Sequence, residues 1–375
     1  MVSYKGIVEG FYWISKHSVN GRHGEFNPNK RIKLLEFMGK KKLNTYVYDP
    51  KHFREGKNGI YERAYNPELI VDLEQWKETF SVAKDNGIEF IWGIAPGTHE
   101  PWTTYHPGWG KNEKGIFNVI EKLLELGVSG ISLLLDDSPG GDSKTEVEKQ
   151  AYLACKIADN YPGILKMICP TEYYGSKNTL EQKHRILNEN TPPSIGLIFT
   201  GTKSYCRSIT SEDVPDYKNG RGSIVWDNWM AADDNDPNKI EFNLPQGRSQ
   251  SLFNNIDGYL LNPCFPVERI VHMVSGIGEI IEKRIETTIK KTAQLPNGDD
   301  ISWYERTDKV DELLQTMGKD WAEFLGVDTS VMQKLLIKKA TSHLVLKRLR
   351  KQETKRLQKQ PHLPKQKLQL YYRLG

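Results

Sequence analysis

The chain has 375 residues, 38% hydrophobic and 27% charged, enough for one large globular domain and an appendage. Its net charge of +4 is unevenly placed: residues 331–375 hold 13 Lys+Arg against the single acid Glu353, or +12, and the 39 basic and 47 acidic residues before them leave −8. No apolar run is long enough to span a bilayer, and Met1-Val2-Ser3-Tyr4-Lys5 leads straight into a strand-like run with no leader-like stretch, so a cytoplasmic protein is expected.

Eight short apolar runs recur along the chain, at residues 6–12, 44–48, 89–94, 130–135, 165–169, 195–199, 223–226 and 258–261. Most are rich in β-branched or aromatic residues and lack strict alternation, the habit of strands buried on both faces. Helical stretches lie between them. Residues 29–40 carry Ile32, Leu34, Leu35 and Phe37, and residues 71–86 carry Leu73, Trp76, Phe80 and Val82. Residues 117–126 and 144–160 follow the same spacing, and Asn86-Gly87 and Leu126-Gly127 are stop signals. Strand and helix alternating through eight strands predict an α/β fold, a parallel (β/α)8 barrel. An open doubly wound sheet fits less well, because the first strand–helix turn lacks a Gly-x-Gly-x-x-Gly fingerprint. Past Pro266 the chain reads as helical over 267–291 and, after a polar turn, over 308–325. The expected division is a catalytic barrel over 1–290, a helical appendage over 291–330 and a basic, partly helical tail over 331–375. The cysteines at 155, 169, 206 and 264 have neither zinc-knuckle nor redox spacing and are expected to be reduced and mostly buried.

Active sites of such barrels lie at the C-terminal ends of the strands. In order these are Glu9-Gly10-Phe11-Tyr12, Asp49-Pro50-Lys51, Ala95-Pro96-Gly97-Thr98-His99, Asp136-Asp137, Pro170-Thr171-Glu172-Tyr173-Tyr174, Thr200-Gly201-Thr202-Lys203, Trp226-Asp227-Asn228 and Asn262-Pro263. Nearly every end turns polar or aromatic where the run before it is apolar, a composition suited to a sugar ring and its hydroxyls. Asp136-Asp137 is the sharpest feature. Strand alternation would separate the two side chains, but a turn at the rim can aim both upward. Two close carboxylates cannot both ionise cheaply, so one can serve as an acid. The structural alternative for such a pair is a helix cap or a surface turn. The His residues are scattered, which argues against metal hydrolysis. Lys51 could form a Schiff base, but no glycine-rich phosphate cradle accompanies it. Residues 234–238 lack the glycine and glutamate of a calcium loop.

Taken in order, Val8-Glu9-Gly10-Phe11-Tyr12, Asn44-Thr45-Tyr46 with Pro50-Lys51, Leu134-Leu135-Asp136-Asp137, Cys169-Pro170-Thr171-Glu172-Tyr173, Thr200-Gly201 with Lys203, Trp226-Asp227-Asn228 with Ala231 and Asp233, Gly247-Arg248-Ser249 and Leu261-Asn262-Pro263 resemble glycoside hydrolase family 84, the O-GlcNAcase and β-N-acetylglucosaminidase family. The resemblance covers about residues 4–280 and implies a retaining exo-β-N-acetylglucosaminidase that needs no cofactor. It implies substrate-assisted hydrolysis, in which the acetamido oxygen of the substrate forms an oxazoline at the anomeric carbon. Asp136 would then polarise the acetamido N–H and Asp137 would protonate the leaving oxygen. Tyr173, Thr200, Trp226 and Asn228 would form the acetamido pocket, and Gly10, Lys51, Asp233 and Asn262 would bind hydroxyls. The chain departs from the family pattern at Trp13, at His52-Phe53 and at Tyr174, all flanking the site, which bears on the leaving group accepted.

Two other functions are compatible with these residues: an endo-acting, hyaluronidase-like glycosidase, and an inactive sugar-binding barrel, against which the retention of Asp136 and Asp137 argues. The expected partner is a glycan or glycoprotein bearing N-acetylglucosamine. The tail, with Lys347-Arg348-Leu349-Arg350-Lys351, reads as a solvated helix or as an anchor for an acidic partner, nucleic acid or an anionic membrane surface.

Overall fold

The computed structural model describes residues 2–11, 27–50, 52–55, 61–63, 76–95, 109–136, 143–229, 245, 247–248, 250–263, 267–283, 288–294, 300–306, 310–326 and 328–330. In chain order the elements are β1 (Tyr4–Phe11), α1 (Pro28–Lys40), β2 (Thr45–Pro50), β3 (His52–Glu55), β4 (Tyr61–Arg63), α2 (Trp76–Asp85), β5 (Glu89–Ile94) and α3 (Trp109–Leu126). Then come β6 (Gly130–Leu134), α4 (Lys144–Asn160), β7 (Leu165–Cys169), α5 (Lys177–Lys183), α6 (Arg185–Asn190), β8 (Gly196–Phe199), β9 (Ser223–Asp227), α7 (Gln250–Asn254) and β10 (Gly258–Leu261). The chain continues through α8 (Val267–Lys283), β11 (Thr288–Gln294), β12 (Asp300–Arg306) and α9 (Val310–Leu325). Strands β1, β2, β5, β6, β7, β8, β9 and β10 close into a barrel, each parallel to the next, as their spacing predicts. The short pair β3–β4 lies outside it. Among the described residues no helix is long and apolar enough to cross a membrane.

Both faces of the barrel strands are buried, which is why their sequences do not alternate apolar with polar. Val8, Val47, Ile91, Leu134, Met167, Ile198, Ile224 and Leu260 fill the barrel interior. Ile7, Tyr46, Tyr48, Phe90, Trp92, Leu133, Leu135, Ile168, Leu197, Phe199, Val225, Tyr259 and Leu261 face outward beneath the helices. The space for the larger interior side chains comes from glycine on the neighbouring strand. A Cβ on Gly93 would lie 2.6 Å from Leu134 Cδ1, and one on Gly196 would lie 2.4 Å from Ile224 Cδ1.

The helix expected over 267–291 ends at Lys283. Its apolar stripe stops there, with Val267, Ile270, Val271, Val274, Ile277, Ile280 and Ile281 buried. Beyond it Thr287, Thr288 and Ile289 are β-branched and favour extended backbone. Residues 288–294 accordingly pair antiparallel with 300–306. The segment expected to be a helical appendage therefore contains one strand of a hairpin wholly and most of the other, and its helix is α9. That helix docks on the barrel's helical layer: Phe324 meets Phe37 edge-on at 5.9 Å, and Asp320 pairs with Lys41 at 2.6 Å and with the Ser275 hydroxyl. On α9 itself Leu313, Leu314, Met317 and Trp321 are buried, the two leucines and the methionine contributing about 1.5–3 kcal/mol each.

Candidate active site

Period-two alternation carries the inner face of each strand up to the barrel rim. Val8 leads to Gly10, Val47 to Asp49, Leu134 to Asp136, Ile198 to Thr200, Ile224 to Trp226 and Asn228, and Leu260 to Asn262. Asp136 thus stands on the inner parity, while Leu133 and Leu135 pack outward. A Cβ placed on Gly10 would lie 3.5 Å from Asp49 Oδ2, 3.6 Å from Asn262 Oδ1 and 3.7 Å from Trp226 Cζ2. Gly10, Asp49, Asn262 and Trp226 therefore meet at one spot on the rim. Asn228 joins them, its Oδ1 accepting from Trp226 Nε1 at 2.9 Å and from Asn262 Nδ2 at 2.8 Å. Its Nδ2 donates to the Ser204 carbonyl at 2.6 Å, so the amide is fixed in one orientation.

Tyr173 packs against the interior cluster that contains Trp226, which brings the β7 end to the same place. Thr200 N–H donates to the Tyr173 carbonyl at 3.0 Å and Gly175 N–H to the Gly201 carbonyl at 3.0 Å, stitching the β7 and β8 loops together. The Thr200 hydroxyl donates to the Lys203 carbonyl at 2.8 Å, and Tyr174 stands exposed with its ring edge-on to Tyr173. Of the residues expected at the site, Asp136, Gly10, Tyr173, Thr200, Trp226, Asn228 and Asn262 are at the rim. Asp137, Lys51 and Asp233 lie outside the described residues.

Three strand-end acids face away. Glu9 is buried against α1, its carboxylate gripped by Arg31 through Nε at 2.7 Å and Nη2 at 2.8 Å and by the Tyr46 hydroxyl. Asp227 repeats the device. Arg248 donates to it through Nε at 2.9 Å and Nη2 at 2.8 Å, Tyr259 donates its hydroxyl, and Trp229 its N–H at 2.9 Å. In both clamps a tryptophan ring backs the guanidinium, Trp76 at 4.6 Å from Arg31 and Trp229 at 5.6 Å from Arg248. Burial works against each guanidinium charge, but Glu9 and Asp227 outweigh it and hold both arginines above their ordinary value. Burial, and then the same carboxylates, push the Tyr46 and Tyr259 phenols well up. Each clamp fixes the residue immediately before a rim residue, Gly10 or Asn228. The third acid, Glu172, pairs with Lys183 at 2.5 Å.

The sequence places Glu9, Asp49 and Asp227 at strand ends without giving them a role, and strand parity separates inner Asp49 from outer Glu9 and Asp227. A groove of about 740 Å3 lies outside the barrel between α4 and α5–α6, lined among others by Tyr152, Cys155 and Ile186, and includes no rim residue. Cys169 and Cys206 are buried, Cys155 is half-buried with its thiol donating to the Asn190 carbonyl at 2.9 Å, and Cys264 lies outside the described residues. Among the described residues no three His, Cys, Asp or Glu side chains are grouped to hold a metal.

A closed parallel barrel with carboxylate, amide, indole and phenol groups at its C-terminal rim is a barrel of the enzyme type, with a site composed to take a sugar ring and its hydroxyls. The chain matches the family model described as beta-N-acetylglucosaminidase over residues 5–292, and it belongs to that family, glycoside hydrolase family 84. It is 25% identical over 280 residues to the protein O-GlcNAcases of Mus musculus and Rattus norvegicus, covering 69% of this chain and 28% of each relative. The chain thus spans little more than a quarter of the length of these relatives. Its fold is similar to that of the Thermobaculum terrenum O-GlcNAc hydrolase, with TM-score 0.63 and 22% identity, over 89% of this chain and 66% of that one. It is also similar to the structure of CpGH84B, with TM-score 0.61 and 16% identity, over 88% of this chain and 60% of that one.

Proposed function

We propose that this chain is a retaining exo-β-N-acetylglucosaminidase that removes terminal β-linked N-acetylglucosamine, in the manner of an O-GlcNAcase, from a glycan or glycoprotein. The observation that supports the reading is strand parity: Leu134 fills the barrel interior, which puts Asp136 two residues later on the inner parity, at the same barrel end as the Trp226–Asn228–Asn262 cluster. Family membership supports it.

In this mechanism the sugar's acetamido oxygen attacks the anomeric carbon as the glycosidic bond breaks. Asp136 accepts a hydrogen bond from the acetamido N–H and stabilises the positive charge that develops on it. Asp137 gives its proton to the departing oxygen. The product of this step is an oxazoline whose N–H proton passes to Asp136 and returns to nitrogen when the ring opens. Asp137, now a carboxylate, takes a proton from water, the water attacks the anomeric carbon from the opposite face, and the oxazoline opens with net retention. Tyr173, Thr200, Trp226 and Asn228 enclose the acetamido group. Gly10 leaves room for the ring beside Asn262, and Lys51 and Asp233 bind hydroxyls with it.

The test is to assay an aryl N-acetylglucosaminide, an aryl glucoside, hyaluronan and an O-GlcNAc peptide, with a thiazoline of N-acetylglucosamine as inhibitor. The acetamido sugars should turn over, the thiazoline should inhibit strongly as a mimic of the intermediate, and the glucoside should be inert. Glucosidase activity would reject the substrate-assisted route, and cleavage within hyaluronan would reject exo action.

A further inference from the structure

Asp136 leaves the barrel directly after Leu135, and the Leu135 peptide is held from two sides. Its N–H donates to the Cys169 carbonyl at 2.8 Å, continuing the β6–β7 ladder. Its carbonyl accepts from the Thr171 hydroxyl at 3.1 Å. β7 ends at Cys169, and past that end the Thr171 hydroxyl supplies a donor to the Leu135 carbonyl. The Thr171 oxygen in turn accepts from Gln150 Nε2 at 2.7 Å. The direction of this chain is settled by chemistry. A carbonyl can only accept, so the single Thr171 proton goes to Leu135, and Gln150 must present its amide nitrogen.

Gln150 lies on α4, the helix that follows the segment carrying Asp136 and Asp137. It is fully buried, and its Oε1 has no hydrogen-bond partner. An orphaned buried carbonyl is unfavourable, and an apolar side chain of similar size would pack α4 against the barrel without that cost. What the amide provides in exchange is the bond to Thr171.

We propose that Gln150 and Thr171 are positioning residues for Asp136: the chain from Gln150 through the Thr171 hydroxyl to the Leu135 carbonyl sets the direction in which Asp136 leaves β6. This rests on the reading of Asp136 as the acetamido partner. Neither residue touches the reacting atoms. Their contribution is to hold a carboxylate to within a fraction of an ångström of the N–H it must meet, where a misplacement of about 1 Å costs on the order of 100-fold in rate.

The test uses the full chain and four variants, Thr171→Val, Thr171→Ser, Asp136→Ala and the Asp136→Ala/Thr171→Val double. Thr171→Val should keep its fold by circular dichroism. It should lose roughly 10- to 100-fold in kcat on an aryl N-acetylglucosaminide, with KM changing far less. Binding of the thiazoline should weaken in step with kcat/KM, and Thr171→Ser, which restores the hydroxyl, should recover most of both. In the Asp136→Ala background Thr171→Val should produce no further loss. A folded Thr171→Val enzyme within twofold of wild type overturns the proposal, as does an equal further loss in the Asp136→Ala background. If Thr171→Val does not fold, Gln150→Leu, which removes only the first donor, is judged by the same criteria. Wild-type activity in Asp136→Ala itself would instead reject the reading of Asp136, a separate and recognisable result.

Discussion

Replacing Arg248 by methionine tests the clamp beside Asn228. Arg248 and Asp227 are both buried, with 1% and 0% of their surface exposed. Methionine keeps much of the arginine stem but none of its donors. Asp227 would be left with the Tyr259 hydroxyl and the Trp229 N–H. The carbonyls of Arg207 and Cys206 would lose donors now at 2.7 and 2.9 Å. Breaking a buried ion pair by removing one partner costs about 3–5 kcal/mol, and the two stranded carbonyls place this case at the upper end. A loss of about 5 kcal/mol corresponds to a melting temperature lower by roughly 10 °C in a domain of this size. Scanning calorimetry of the full chain, checked by urea unfolding, measures it. Adding Asp227→Asn should return part of the loss, because no unpaired charge then remains buried. A single variant melting within about 2 °C of wild type would refute the reasoning, since an uncompensated buried carboxylate cannot be that cheap.

His184 gives a pH dependence of defined sign. Its Nε2–H donates to the Glu172 carbonyl at 2.5 Å, so Nδ1 accepts from the Tyr217 hydroxyl at 2.6 Å and the ring is neutral. Burial lowers its pKa to about 4, with the Glu172 carbonyl opposing and the Lys183 charge reinforcing the shift. Between the ordinary value of 6.5 and about 4 the unfolded chain takes up a proton that the native state refuses. This contribution is complete above pH 6.5 and falls away toward pH 4, by on the order of 3 kcal/mol. Urea unfolding at pH 7 and pH 4.5 should show the loss, and His184→Gln should flatten it; greater stability at the lower pH would contradict the assignment. Asp137→Asn should abolish turnover of poor leaving groups while sparing activated aryl glycosides, and equal losses on both would remove Asp137 from the acid role. Deleting residues 331–375 should leave kcat/KM on an aryl substrate largely intact, with any effect falling on melting; a folded but inactive truncation would place the tail in the site.

The barrel was legible because its eight strands are apolar on both faces, so each appears as an uninterrupted run between helical stripes. Residues 267–281 carry a genuine helical stripe, and the hairpin after it was hidden because Lys290-Lys291 reads equally well as a basic last turn. At the rim, chemical type alone misleads. Glu9, Asp49, Asp136 and Asp227 are all acids at strand ends, yet Glu9 and Asp227 serve arginines behind the barrel while Asp49 and Asp136 stand on its inner parity. Counting in twos from the interior valines and leucines separates them. The partnerships behind the site are of another kind. Gln150 and Thr171 are 21 residues apart, and Asp227 and Arg248 are also 21 apart, so nothing in local spacing announces that they meet.

The central claim is that the substrate's own acetamido oxygen is the nucleophile and that Asp136 assists it. Asp136→Ala, assayed on an aryl N-acetylglucosaminide with an excellent leaving group, tests this most directly, because such a substrate needs little help from Asp137. The account predicts a loss of roughly 100- to 1000-fold in kcat, on the order of 2.7–4 kcal/mol of transition-state stabilisation, with the fold intact. An Asp136→Ala enzyme that turns this substrate over at near the wild-type rate would contradict it.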